Sequence, residues 1–129
     1  MKITEITLAG QTYYLYFNGV AMFALQDIYG DSNVLELLSS TDAKGFDALC
    51  KVTAILAEQG ELMRRYQGYD KGKIPTENDI RTLVTPIDII KLKYAAMEAM
   101  LAGYGREIKN EDEEIDVGLL ELQKKTEKP

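Results

Sequence analysis

The stretch from Pro86 to Tyr104 carries apolar side chains on both of its flanks, and no other feature of the chain restricts the fold as strongly. Ile87, Ile90, Tyr94, Met97, Leu101 and Tyr104 recur at intervals of three and four residues and so share one face of a helix. At about 100° per residue, Ile89, Leu92, Ala96, Met100 and Gly103 gather on roughly the opposite face. Only Asp88, Lys91, Lys93 and Glu98 interrupt the stretch with charge. A helix apolar on two sides is buried on two sides. A small domain achieves that either with a central core helix or with a helix that turns one face to the core and the other to a partner. The flank holding Ile89, Leu92, Ala96 and Met100 is the expected partner-binding face.

With 129 residues and 46% hydrophobic side chains, the chain can build one core and is too short for two ordinary domains. Its 15 basic and 21 acidic residues give a net charge of −6, so a nucleic acid would be repelled on average. No uncharged apolar run reaches the length of about 18 residues that a membrane span needs. Met1 to Leu8 alternates charged and apolar positions, unlike a secretion signal. The expectation is a cytoplasmic protein with no membrane and no nucleic-acid partner. Cys50 is the lone cysteine and has no internal disulfide partner, which fits a reducing compartment. Histidine is absent, which removes the side chain most used as a general base near neutral pH and as a zinc ligand.

Residues Lys2 to Phe17 are rich in β-branched and aromatic side chains and are broken only at Ala9-Gly10-Gln11, which predicts an antiparallel hairpin. Tyr13, Leu15 and Phe17 fall on one face of its second strand and Tyr14 and Tyr16 on the other, so both faces are substantially apolar. Asn18-Gly19 offers a turn and a cap for a helix over Val20 to Tyr29, with Met22, Phe23, Leu25, Gln26 and Tyr29 at helical spacing and Gly30 at its end. A short helix follows, capped by Ser32 or Asn33, with Val34, Leu35, Leu37 and Leu38 as its apolar content. The third helix, from about Asp42 to Gln67, shows a stripe of Phe46, Leu49, Cys50, Thr53, Leu56, Ala57, Gly60 and Met63. Gly60 inside it marks either a bend or the close approach of another backbone. Gly68 to Pro75 reads as a loop, Thr76 as the cap of a short helical turn through Leu83, and Thr85-Pro86 as the start of the last helix.

From Gly105 onward the run Lys109 to Glu114 and Asp116 is charged and lacks an apolar stripe, as solvated tails do. Within it Val117, Leu119, Leu120 and Leu122 suffice for a short amphipathic turn. The predicted fold is α+β: an N-terminal β-hairpin followed by a mainly helical body and an acidic flexible C-terminal tail. Residues 1–104 form a single domain, with the hairpin at 2–17 and the helical body at 18–104, and residues 105–129 form the acidic mobile tail.

No set of residues in the chain spells out a reaction. The carboxylates Glu111 to Glu114 lack the ligand spacing and glycine of a calcium loop, so no metal is expected. Glu58, Glu61 and Asp27 could be named as acid and base, but nothing in their spacing places two carboxylates in one pocket. Cys50 lies in the apolar stripe with no histidine to activate it, which reads as a buried thiol rather than a nucleophile. Gly68 to Lys73 lacks the phosphate-loop pattern and is read as a flexible connector. Arg64, Arg65, Lys71 and Lys73 form a small basic group, read as the wet end of a helix. No catalytic residue and no cofactor is expected. Tyr66, Tyr69, Tyr94 and Tyr104 suit a surface that is apolar yet soluble, and core filling explains any one of them equally well.

The opening Ile6-Thr7-Leu8-Ala9-Gly10-Gln11-Thr12-Tyr13-Tyr14-Leu15-Tyr16-Phe17-Asn18, with Ala21, Leu25 and the helix end Tyr29-Gly30, resembles the start of tail assembly chaperones from long-tailed bacteriophages and prophages of Gram-positive bacteria. The resemblance covers the first half of the chain well and the helical remainder in outline. It implies a small cytoplasmic, non-enzymatic protein that coats the tape-measure protein, keeps its apolar helices soluble and helps recruit tail-tube subunits. It also implies a longer form made by ribosomal frameshifting near the C-terminus, where Lys124-Lys125 stands. Monomer and homo-oligomer both remain open. The rival expectation is a structural tail-completion or connector subunit of a phage particle.

Overall fold

The computed structural model describes residues 3–105. Among them the chain forms two strands and five helices in the order β1 (Thr4–Leu8), β2 (Gln11–Leu15), α1 (Gly19–Tyr29), α2 (Val34–Leu38), α3 (Ala43–Tyr66), α4 (Glu77–Leu83) and α5 (Pro86–Gly103). The hairpin followed by a helical body is the α+β architecture expected. The expectations for residues 106–129 lie outside the described residues.

The hairpin turns on Ala9 and Gly10 alone, with φ of 50° and 81°. Positive φ at both central residues is what a two-residue I′ loop requires, and its twist matches that of the strands. Gln11, expected in the break, instead opens β2 opposite Leu8. The register then sets Ile6 against Tyr13 and Thr4 against Leu15. Leu8, Tyr13 and Leu15 are buried on the inner face, and Phe17 continues that face into the core beyond β2.

Each helix start is satisfied by its own side chain, as its exposed N–H groups demand. Asn18 accepts from the Ala21 N–H at 3.0 Å, and Asp42 accepts from the Gly45 N–H at 3.0 Å. Thr76 with Asp79, and Thr85 with Asp88, form reciprocal capping boxes. Asn33, rather than Ser32, caps α2. Gly30, at φ 60°, ends α1 as predicted.

The central helix is α3, which touches β2, α1, α2, α4 and α5. It is therefore buried well beyond the expected stripe: Ala48, Val52, Gln59 and Glu61 join Leu49, Cys50, Leu56 and Ala57 inside. Gly60 is the site of close approach, since a β-carbon there would stand 1.8 Å from the Tyr14 carbonyl oxygen. Just beyond β2, the Tyr16 N–H donates to the Leu56 carbonyl at 3.1 Å, so the chain leaving the hairpin is hydrogen-bonded to the side of α3. On the other side α5 closes in through Gly103, where a β-carbon would lie 2.4 Å from the Phe17 carbonyl oxygen. One core cluster results, with Leu15, Leu25, Leu38, Leu56, Ile80 and Leu92 among its members.

Candidate partner-binding surfaces

On α5 the structure separates the two apolar flanks and buries the one expected to meet a partner. Leu92 and Ala96 are fully buried, Met100 nearly so, and Ile89 is half-buried against the same core. These residues, expected to meet a partner, face α5's own domain, and a partner would reach Leu92 or Ala96 only by opening it. On the other flank Ile87, Ile90 and Tyr94 are 66%, 61% and 69% exposed. Met97 is half-buried and Leu101 buried, so the outward row is confined to the first half of the helix. Tyr104 caps the far end, half-exposed, with its ring 5.1 Å from that of Phe17. The inward flank carries Ala95, Ala96, Ala99 and Gly103, whose small side chains let α5 lie close to the hairpin, whereas Ile87, Ile90 and Tyr94 would hold it away.

A second group of apolar side chains stands out on α1. Val20, Phe23 and Ile28 are exposed, while Ala21 and Leu25 face inward. Phe23, expected on the buried stripe, is 61% exposed because α1 turns its Ala21 and Leu25 edge to the core. Between α1, α2 and the end of α5 lies a groove of about 390 Å³ lined by Met22, Leu25, Val34, Leu35, Met100 and Tyr104 among others.

Three of the charged residues named from sequence, Glu61, Arg64 and Arg65, come together in one cluster. Glu61 is buried, and its carboxylate accepts from Arg64 at 2.8 Å, from Arg65 at 2.9 Å and from the Gly72 N–H. Burial pushes its pKa up, but the Gly72 N–H and the Arg65 and Arg64 side chains more than offset this, and the net shift is downward. Arg65 also donates to the Gly72 carbonyl at 3.0 Å, and Arg64 to that of Asp70 at 3.3 Å. The Arg64 guanidinium lies 4.5 Å from the ring centre of Tyr14 and 5.1 Å from that of Tyr69. The segment read as a flexible connector is thus tied to α3, and the arginines read as a wet helix end are turned onto Glu61. The i, i+3 and i, i+4 spacing of Glu61, Arg64 and Arg65 was the available signal for this cluster. Glu58 is exposed and does not share the Glu61 cluster.

A second ion cluster joins α3 to α4. Arg81 bonds Asp47 and Glu77, and Lys51 lies 3.3 Å from Glu77 and 3.4 Å from Asp47. The Arg81 side chain holds both carboxyls below their usual range. Gln59, nearly buried on α3, accepts from the Asn18 side-chain amide at 3.0 Å, linking the α1 cap to α3. Cys50 is fully buried, and burial raises its thiol pKa. Among the described residues no group of three or more metal-ligating side chains comes together. No helix among them is long and apolar enough to cross a membrane.

Compared with protein-family models, with curated proteins and with solved structures, the chain matches none of them.

Proposed function

We propose that the chain is a protein-binding module that acts by covering apolar surface on another polypeptide. More specifically, it is a tail assembly chaperone of a long-tailed bacteriophage or prophage, working in the host cytoplasm. Its client is the tape-measure protein, which it keeps soluble while tail-tube subunits are recruited. The observation that carries this reading is the outward row Ile87, Ile90 and Tyr94 on a helix whose opposite flank already supplies the core. Large apolar side chains exposed in a row at i, i+3 and i+7 match the spacing with which one helix meets another. Binding there withdraws a client's apolar surface from aggregation by mass action. The resemblance at Ile6 to Asn18 supplies the particular client.

Co-expression with the tape-measure protein encoded beside it tests the reading. The client's soluble fraction rises with the native chain and falls back with Ile90→Glu and Tyr94→Glu together. No gain from a well-folded native chain overturns the proposal. Stoichiometric presence of the chain in purified particles would favour a structural tail subunit instead.

A further inference from the structure

Two hollows on one side of the domain share the walls Phe17, Met22 and Tyr104. The larger, of about 390 Å³, runs between α1 and α2 to Val34 and Leu35, and the smaller, of about 350 Å³, passes Tyr16, Gly19 and Ala102. No charged side chain lines either of them. Phe17, Leu25 and Met100 are buried and belong to the floor, so contact falls to the half-buried Met22, Val34 and Leu35 and to Tyr104, which is 53% exposed. On α1, Gly19, Met22 and Gln26 line the trough, and at about 100° per residue Phe23 comes beside Gly19 and Gln26. Its side chain, 61% exposed, therefore stands at the rim. Tyr104 caps the end of α5, and Gly105 is the last of the described residues, so the chain leaves the domain from the wall of the trough itself.

We infer that the trough holds the chain's own segment Ile115 to Leu122, folded back from Gly105. Ile115, Val117, Leu119, Leu120 and Leu122 concentrate apolar side chains there, and Ile115, Leu119 and Leu122 share one face at helical spacing, away from Asp116 and Glu121. The nine residues 106–114 join the segment to Gly105. Extended, they reach about 30 Å, enough to double back on hollows that begin at Tyr104. A segment this short is not a stable helix by itself and buries little area, so its contact is weak between separate molecules. A short linker offers it to the trough at an effective concentration of about a millimolar. The same segment of a second copy, at about 1 μM protein, is about a thousandfold more dilute. The uncharged lining receives the apolar face, while Asp116, Glu121 and the carboxylates of the linker stay in water. Docked in this way, the segment covers Met22, Leu35 and Tyr104, and any other apolar segment must displace it. The inference concerns a different surface from the outward row of α5 and needs no client.

The test uses the full chain with Gln123→Cys carrying a nitroxide, while the native Cys50 is fully buried and stays unlabelled. Tyr104 lies near the label through the tether alone, so the reading is taken at the far wall, from the methyl resonances of Val34 and Leu35. These resonances lose their intensity in the labelled chain and recover when the nitroxide is reduced. Leu119→Ser together with Leu122→Ser, which changes no described residue, restores them. Met22→Ser restores them as well, with a thermal melt confirming that the domain is folded. Full intensity at Val34 and Leu35 in the labelled chain overturns the inference. A loss that survives the Leu119→Ser and Leu122→Ser pair also overturns it, because the tether alone then produces it. So does a loss at Ile87 and Ile90 instead, which puts the segment on the other flank of α5. In a mixture of isotope-labelled chains without nitroxide and nitroxide-bearing chains without isotope, the resonances keep their intensity; their loss there assigns the trough to a second copy and overturns the inference. The client takes no part in these measurements, so their failure leaves the chaperone reading standing, and failed solubilisation of the tape-measure protein leaves this inference standing.

Discussion

The carbonyl oxygen of Tyr14 sits where the side chain of residue 60 would begin: a β-carbon on Gly60 would lie 1.8 Å from that oxygen and 2.4 Å from its carbon. The obstacle is backbone, held by the hairpin register and by the Tyr16 to Leu56 hydrogen bond two residues on. Gly60→Ala therefore forces β2 away from α3. Alanine gains about 1 kcal/mol of helix propensity, but strain in a packed core costs about 3 kcal/mol or more. Urea unfolding should show a net loss of at least about 2 kcal/mol; a more stable variant would refute the close contact.

The two flanks of α5 predict opposite mutational behaviour. Leu92→Ala removes a fully buried side chain and should destabilise by about 3 kcal/mol. Ile90→Glu, at a position 61% exposed, should stay within about 0.5 kcal/mol of the native chain. Denaturation midpoints of the two variants check this, and comparable losses at both positions would show that the outward row is covered.

Glu61 predicts acid sensitivity. Its pKa in the folded state is depressed, so its contribution is fully present above the unfolded-state value, about 4.3 for a glutamate. That contribution is lost as pH falls through the lower folded value. Protonation removes charge from the acceptor of Arg64, Arg65 and the Gly72 N–H, and loosens the 68–75 segment from α3. Glu61→Gln should cost about 2–3 kcal/mol at neutral pH, the scale of hydrogen bonds to a charged group, and should flatten the decline of stability from about pH 5 to about pH 3, across the ordinary carboxylate range. A stability-versus-pH series on both proteins reads this directly. An unchanged acid limb in Glu61→Gln would assign the sensitivity to other carboxylates.

Ala9 has φ of 50° without the tolerance that glycine or asparagine brings to that conformation. Ala9→Asn creates the Asn-Gly pair that I′ hairpin loops favour. It should stabilise by about 0.5–1 kcal/mol, seen as a higher melting temperature with an unchanged circular dichroism spectrum. A lower melting temperature would mean that the turn is not held in this form.

Local chemistry made much of the fold legible. The caps Asn18, Asp42, Thr76 and Thr85 stand where helix starts need side-chain acceptors, and the structure uses all four. The Ala9-Gly10-Gln11 break predicted the hairpin, one residue wider than the turn proved to be, and the glycine at position 60 pointed to either a bend or an approach of backbone, of which the structure shows the second. What escaped was burial of charge. Glu61, Arg64 and Arg65 have the spacing of an ordinary surface group, and only the return of Gly72 onto α3 turns that group into a closed cluster.

By itself the sequence determined the elements, their order and most of the helix ends, because periodicity, capping and turn preferences act over a few residues. Tertiary structure decided that α3 is the central helix and that α5 turns Leu92, Ala96 and Met100 inward and Ile87, Ile90 and Tyr94 outward. The two flanks of α5 are similarly apolar, so hydrophobicity alone does not rank them. Fit does: alanine and glycine admit the backbone of Phe17 and the side of α3 at close range, and isoleucine and tyrosine at the same positions would not.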